Sequence, residues 1–210
     1  SALLLSFSPK TSSLLLPILV ISQAIPVFAI APILVLWLGY GMPSKMDKIV
    51  EICKKHNLKL VEDCAQSHGA CFNGQMTGTF GDVGCFSFYP SKNLGAFGDA
   101  GAVVVKDEQL ANDFKVFRNY GSEKRYHNKV VGANSRLDEL QAGLLRVRLQ
   151  HMQELTEEKV KIAKRYTAEI SNDKIRLPEL ADGATGVWHQ YVIRCEERDR
   201  LIEYLNEKEI

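Results

Sequence analysis

Apolar and polar residues recur with helical spacing from residue 43 onward, and short apolar runs follow. Ser44 as a cap, with Asp47 three residues later, predicts a helix over 43–57. The short run 58–61 comes next and ends at Glu62 and Asp63, which predicts a strand buried in a parallel sheet. A helix followed by such a strand, with acids at its carboxyl end, is typical of an α/β protein.

The middle of the chain continues this pattern with strands at 83–89 and 102–105, joined by a glycine-rich stretch at 95–101. Asp107 is a cap residue for a helix that reaches about Asn119. The region before 83 and the region after 119 are polar and glycine-containing, and we expect exposed loops there.

A long helix is predicted from a capping box at Ser135 and Asp138, with a continuation towards Ile170. Such a helix indicates a linker between domains or a subunit interface, and a surface helix is the alternative. We also expect a half-exposed strand at 187–195 and a short helix at 199–207. The apolar face predicted for the long helix consists of Leu137, Leu140, Leu144, Val147 and Leu149.

The first 42 residues differ from the rest because no charged residue occurs between Lys10 and Lys45. The segment 14–40 is long enough to span a bilayer. Against a clean membrane helix, it contains three prolines and lacks the features of a signal peptide. A membrane segment and buried strands of an altered sequence both stay open. The prolines are Pro17, Pro26 and Pro32.

Charge and cysteine content favour a cytoplasmic protein that binds small molecules. Lysine plus arginine number 26 against 25 acids, and a net charge of +1 gives no electrostatic reason to expect a nucleic acid partner. The 5 cysteines form no CxxC pair, and no histidines stand at zinc-ligand spacing. We therefore expect free cysteines in a reducing compartment and no metal site.

Candidate chemistry lies where two predicted strands end, since ligands of open α/β sheets bind outside the carboxyl ends of the strands. Asp63 and Gln66 follow one strand, and Ser87 and Lys92 follow the other. Alone, Asp63 is an ordinary surface acid and Lys92 a solvated lysine. Together they suit a lysine that binds the aldehyde of pyridoxal 5'-phosphate (PLP) and an acid that keeps the pyridine nitrogen protonated.

Four segments resemble consecutive signature segments of the DegT/StrS group of aminotransferases, and the resemblance runs from about Gly41 to the end of the chain. It implies an α/β fold type I PLP-dependent transferase, namely the aspartate aminotransferase-like large domain, incomplete at both ends. The segments are VEDCAQSHGA (61–70), GDVGCFSFYPSKNLGAFGDAGAVV (81–104), FRNYGSEKRYHN (117–128) and GANSRLDELQAGLLRV (132–147).

The resemblance also implies a role for each matching residue. Lys92 holds PLP covalently, Asp63 pairs with the ring nitrogen, and Gln66 lies near the ring and its 3-hydroxyl. Ser87 binds the phosphate, and Asn134 reaches the same phosphate from the partner subunit of a homodimer.

Three further side chains, His68, Tyr89 and His189, are interpreted as packed groups outside the site. Ala100 replaces a glycine of the family pattern, which matters if the backbone there needs a positive φ.

The activity implied is transfer of an amino group, with glutamate as the expected donor, to a nucleotide-linked keto-sugar. The nearest likeness is to enzymes that aminate C3 of a dTDP-linked 3-keto-6-deoxyhexose, in deoxyamino-sugar pathways such as lipopolysaccharide or O-antigen biosynthesis. Relatives that dehydrate sugars carry histidine at the lysine position, so Lys92 argues against dehydration. The alternatives are a non-catalytic PLP-binding relative or gene remnant, and a membrane-anchored protein.

These expectations divide the chain into an apolar front (1–42), a PLP-binding core (43–150), and a linker helix with the start of a small domain (151–210). The family's N-terminal phosphate-binding helix and complete small domain are not recognised. We therefore expect the 210-residue chain alone to bind PLP weakly and to aggregate, and a chain with family-like ends to be a PLP dimer.

Overall fold

The structure is a computed structural model and describes Pro43 and residues 45–210. In chain order the elements are α1 (Met46–Lys55), β1 (Val61–Asp63), β2 (Cys71–Phe72), β3 (Gln75–Met76), β4 (Val83–Ser87), β5 (Gly101–Val105), α2 (Glu108–Phe117), β6 (Ser122–Lys124), β7 (His127–Asn128), α3 (Glu139–Gln150), α4 (Met152–Glu169), β8 (Ile175–Arg176), β9 (Arg194–Cys195) and α5 (Arg198–Glu207).

A three-stranded sheet of order β1-β4-β5 carries the candidate residues. β1 and β4 are parallel, with Asp63 opposite Cys85, so both strands end at the same edge of the sheet. β5 runs antiparallel to β4 and starts at Gly101 opposite Ser87. The glycine-rich stretch before Gly101 therefore returns the chain to the edge where β4 ends.

A buried glutamate fixes the position of β1. Glu62 is 7% exposed, and its carboxylate accepts three backbone hydrogen bonds from the segment that leads into β4. Gly78 N–H donates to Oε2 at 2.8 Å, and the N–H groups of Phe80 and Gly81 both donate to Oε1 at 2.7 Å. A buried carboxylate is tolerated only when it is paired or hydrogen-bonded, and these three donors meet that need.

The strand predicted at 58–61 begins three residues later than expected, at Val61. Leu58 and Val61 are 55% and 61% exposed, so the expectation of a buried strand is wrong for them. Successive side chains of a strand point to opposite faces. In β1 the buried face belongs to Glu62, which leaves Val61 and Asp63 on the exposed one.

Two of the three predicted helix caps are wrong. Lys45 occupies the N-cap of α1 without a side-chain hydrogen bond, and Ser44 lies outside the described residues. Asp107 caps α2 as predicted, because its Oδ1 accepts the Leu110 N–H at 2.6 Å. Ser135 is not a cap, because Asp138 occupies the N-cap of the helix that starts at Glu139, and it does so without a side-chain hydrogen bond.

The predicted long helix is two helices, because the chain breaks at His151 between α3 and α4. Leu140 is 77% exposed and Leu145 only 6%, so the buried face of α3 is not the one predicted. Leu145 packs with Leu94 and Ala96 in a small apolar cluster, and Met152 at the start of α4 joins it. The exposed members of the predicted face also include Val147 and Leu149.

The strand expected at 187–195 is restricted to Arg194–Cys195, and the short helix near the end of the chain is confirmed as α5. Trp188 has φ +47°, which is incompatible with an extended strand. Val187 is buried at 2% exposure and belongs to an irregular segment. The two polar regions expected to be loops each contain a short hairpin, β2–β3 and β6–β7.

In the part of the chain that the structure describes, no helix is long and apolar enough to cross a membrane. The candidate membrane segment at 14–40 lies outside those residues. All 5 cysteines are free, as predicted, although only Cys64 is buried. Ala100 does not have a positive φ, so the methyl group that replaces the family's glycine is accommodated without backbone strain.

Glu62→Gln should lower the free energy of unfolding by about 1–3 kcal/mol, because an amide cannot accept from all three buried N–H groups. Urea denaturation of the variant and the parent measures the difference. Glu51→Gln, at an exposed glutamate of α1, is the matched control and should be neutral. Equal stability of Glu62→Gln and the parent would contradict the importance of the buried carboxylate.

Candidate functional site

The carboxyl end of β1 presents an acid with one oxygen available to a ligand. Asp63 is exposed, and its Oδ1 accepts the Ala65 N–H at 3.0 Å, which orients the carboxylate at the strand end. Its Oδ2 has no hydrogen-bond partner among residues 45–210. Gln66 follows in the next turn, half-buried, and its amide group also makes no hydrogen bond to the described residues.

The carboxyl end of β4 presents a hydroxyl group. Ser87 Oγ accepts the Tyr89 N–H at 3.3 Å, which leaves the hydroxyl proton available for an anion. The Ser87 carbonyl accepts a hydrogen bond from His68 Nε2 at 2.8 Å. Because β1 and β4 are parallel and adjacent, Asp63, Gln66 and Ser87 lie at one edge of the sheet.

Lys92 lies in a tight turn directly after β4. Its N–H donates to the Tyr89 carbonyl at 2.9 Å, and its side chain is half-buried. The turn is closed by Gly95, where a Cβ atom would collide with the Pro90 carbonyl. Leu94 enters the apolar cluster beneath the turn, so the backbone that carries Lys92 is supported from inside the protein.

The charge of Lys92 acts on two histidines, and the sequence interpretation placed both outside the site. His68 is 3% exposed and donates through Nε2, so the neutral ring has its acceptor at Nδ1, which has no partner within residues 45–210. His189 Nδ1 is also buried and likewise has no partner among those residues. Burial lowers the pKa of His189 to about 4, and the charges of Lys92 and Lys159 act in the same direction.

Burial is also the main cause that lowers the pKa of His68, although its hydrogen bond to the Ser87 carbonyl opposes the shift. Both imidazoles are therefore neutral near pH 7. Tyr89, the third side chain left out of the site, is 53% exposed.

Asn134 belongs to a different segment of the chain, where it pairs with Asn119 in an isolated β-bridge. It lies between β7 and α3, exposed, and its Oδ1 accepts a hydrogen bond from Arg136 Nε at 3.2 Å. Arg136 is itself held by Asn119 Oδ1 at 3.3 Å and lies over the ring of Tyr120. The Asn134 amide N–H groups make no hydrogen bond to the part of the chain that the structure describes.

The residues at the sheet edge fit PLP. The free carboxylate oxygen of Asp63 suits a protonated ring nitrogen, the Ser87 hydroxyl suits a phosphate oxygen, and the half-buried Lys92 amine suits the aldehyde. The unpartnered Gln66 amide can donate to a ring substituent. No group of three or more metal-ligating side chains occurs among the described residues.

Comparison with known proteins agrees with this fit. Residues 20–210 match the model of the DegT/DnrJ/EryC1/StrS aminotransferase family, and the chain belongs to that family. Its members are PLP-dependent enzymes, and the fold is that of fold type I transferases, as predicted.

Two relatives show the degree of similarity. The chain is 47% identical over 171 residues to the dTDP-3-amino-3,6-dideoxy-alpha-D-galactopyranose transaminase of Aneurinibacillus thermoaerophilus, covering 81% of this chain and 47% of the relative. It is 44% identical over 162 residues to a UDP-N-acetyl-3-dehydro-alpha-D-glucosamine 3-aminotransferase of Acidithiobacillus ferrooxidans, covering 77% and 44%.

A similar solved structure is S. venezuelae DesV, with a TM-score of 0.78 and 43% identity, covering 80% of this chain and 46% of DesV. The chain thus spans about half the length of the relatives that it matches.

The sequence interpretation missed two polar residues, Asn93 and Lys159. Asn93 is 6% exposed and bonded to Lys159, a residue of α4. An asparagine between a lysine and a leucine has no helical or strand periodicity to mark it as buried. The only available signal was its place inside the segment SKNLG that resembles the family.

Stability should fall as the pH is lowered from about 6.5 to about 4. The unfolded chain protonates His189 near its ordinary pKa of 6.5, whereas the folded chain does so only near 4, so the unfolded state binds more protons between these values. Urea denaturation at several pH values measures the slope, which His189→Gln should reduce.

His56→Gln, at an exposed histidine, is the control for that experiment and should retain the slope of the parent. An unchanged slope in His189→Gln would show that the buried imidazole does not oppose protonation.

Proposed function

We propose that the chain is part of a PLP-dependent aminotransferase that transfers an amino group, with glutamate as the donor, to a nucleotide-linked keto-sugar. The proposal depends on one observation, namely that an acid and a lysine lie at the same edge of the sheet. Asp63 has a free carboxylate oxygen at the end of β1, and the Lys92 turn follows the adjacent parallel strand. Family membership supports the same reaction class.

Each residue at the edge has a defined task in this proposal. PLP, when bound, supplies an electron sink for the bond that breaks at the substrate carbon. The negative charge of Asp63 holds a proton on the ring nitrogen, which keeps the sink effective. Lys92 Nζ would take the proton from the α carbon of the amino donor, as a general base, and would give it up again as a general acid.

Binding and orientation fall to the other three residues. The Ser87 hydroxyl donates to the phosphate, and the Gln66 amide donates to the ring 3-hydroxyl. The Asn134 amide, oriented by Arg136, donates to the phosphate of the partner subunit's site, so the proposed enzyme is a homodimer. The exposure of Asn134 supports a contact outside its own chain.

The substrate is proposed to be a 3-keto-sugar. The two relatives described above have names that place the amino group at C3, one on a dTDP-linked sugar and one on a UDP-linked sugar. The dTDP-linked 3-keto-6-deoxyhexose is the first candidate, in a deoxyamino-sugar pathway such as lipopolysaccharide or O-antigen biosynthesis. We place the reaction in the cytoplasm.

Borohydride reduction after incubation with excess PLP should attach a pyridoxyl group to Lys92, because it is the lysine at the sheet edge. Peptide mapping by mass spectrometry locates the label. Lys92→Arg should remove the label, and Lys106→Arg, at an exposed lysine after β5, should not. A label on Lys45 or Lys106 in the parent would contradict the proposal.

Asp63→Asn should retain PLP yet lower transamination by about 100- to 1,000-fold, the usual effect of removing one preorganised electrostatic partner. The assay uses a dTDP-linked 3-keto-6-deoxyhexose and glutamate. It is run on the chain and on a chimera in which residues 43–210 replace the matching part of the Aneurinibacillus enzyme.

The control for this assay is Asp173→Asn, an exposed acid in the turn before β8, which should leave the rate unchanged. Near-parental turnover of Asp63→Asn would show that the acid is misassigned. PLP binding without turnover in both samples would favour the non-catalytic alternative.

A further inference from the structure

The residue after Lys92 has an unusual environment. Asn93 is 6% exposed, and both ends of its side-chain amide are hydrogen-bonded to distant parts of the chain. Nδ2 donates to the Val187 carbonyl at 2.9 Å, 94 residues away, and Oδ1 accepts from Lys159 Nζ at 2.7 Å, 66 residues away. One amide thus links the Lys92 turn to α4 and to the irregular segment after β8.

The Val187 carbonyl, which accepts the Asn93 hydrogen bond, belongs to a segment that other contacts hold in place. Val187 is 2% exposed, and nearby Thr185 donates its N–H to the Cys71 carbonyl at 2.8 Å, which ties the segment to the first hairpin. The following residue, Trp188, has φ +47°, a strained conformation for a bulky residue that persists only where the surroundings enforce it. That backbone turn leads from Val187 to His189, whose pKa is lowered by the charge of Lys92.

The second partner, Lys159, belongs to α4, four residues before the buried Ala163. Burial lowers the pKa of Lys159, and the charge of Arg148 on α3 adds to the shift. The charges of Lys159 and Lys92 both lower the pKa of His68 and of His189. A lysine ammonium group has three donors, and Asn93 Oδ1 supplies a neutral acceptor.

Lys92 is therefore held from both sides. Before it, the Tyr89 carbonyl accepts the Lys92 N–H, and after it, the Asn93 amide anchors the next residue. Leu94 and Ala96 then enter the apolar cluster. A long lysine side chain needs a fixed base if its amine is to reach a reacting atom within the narrow range that catalysis tolerates.

We propose that Asn93 is a positioning residue that holds the Lys92 turn by bonding to Val187 and Lys159, so that residues of 151–210 set the direction of Lys92. The proposal rests on the function proposed for Lys92. It extends the candidate site beyond 43–150, because the anchors of the Lys92 turn come from the later part of the chain.

The test measures how fast PLP is captured at Lys92, by borohydride quenching at timed intervals and quantitative peptide mapping. Asn93→Ala should lower the rate constant for capture by about 10- to 100-fold, the order expected when a reacting group loses its alignment. Lys159→Met should give a smaller loss, and Lys159→Arg, which retains a charged donor, should restore most of the rate. Lys164→Met, at an exposed lysine of the same helix, is the control.

Stability is measured on the same samples, because Asn93→Ala also removes a buried hydrogen-bonded amide. Rates are compared under conditions where each variant is folded by circular dichroism, and Lys159→Met provides the milder change. A structural role alone predicts lower unfolding midpoints with a parental capture rate in every folded variant. That result would overturn the positioning role and leave the proposed function intact.

The two proposals fail in different ways. If the parent itself is not labelled at Lys92, the proposed function fails, and the positioning role fails with it. If the parent is labelled and Lys159→Arg captures PLP no faster than Lys159→Met, the Lys159 arm of the proposal is wrong. Slow capture in both Asn93→Ala and Lys159→Met, with recovery in Lys159→Arg, supports it.

Discussion

The carboxylate of Glu62 organises the sheet edge on which the candidate site depends. Its three hydrogen bonds to the N–H groups of Gly78, Phe80 and Gly81 tie β1 to the segment that leads into β4. Because these bonds are at least partly buried and involve a charged acceptor, they are stronger than ordinary backbone contacts. The alternation of β1 then places Asp63 on the other face of the strand, where a ligand can reach it. The burial of Glu62 and the exposure of Asp63 thus both follow from the alternation of side chains along β1.

Features with a local cause could be predicted from the sequence. The Asp107 cap depends on a residue three positions away, and the glycine-rich closure of the Lys92 turn depends on Gly95. The α/β order and the family could also be predicted, and both are confirmed. The roles of Asp63, Gln66, Ser87, Lys92 and Asn134 stay predictions, although the structure brings the first four to one edge.

Features with a distant cause could not be predicted. The buried face of α3 is set by Leu94, which lies about fifty residues earlier in the chain, so helical spacing alone missed Leu145 and selected the exposed Leu140 and Leu149. The segment 187–195 alternates like a strand, but left-handed backbone at Trp188 interrupts it. The burial of Asn93 depends on partners 66 and 94 residues away. In each case tertiary contacts override local preference.

The break between α3 and α4 at His151 affects how the sequences of two related enzymes can be recombined. Met152, the first residue of α4, packs on the cluster of Leu94 and Leu145, and its methyl group also lies beside Gly69. The sequence suggests a boundary between core and linker at residues 150 and 151. A crossover at this boundary would combine the Lys92 turn of one parent enzyme with Met152 and Lys159 of another. Recombinants joined at this boundary need residues at positions 152 and 159 that are compatible with the Lys92 turn. Recombinants joined after α4 inherit Met152 and Lys159 from the same parent as that turn.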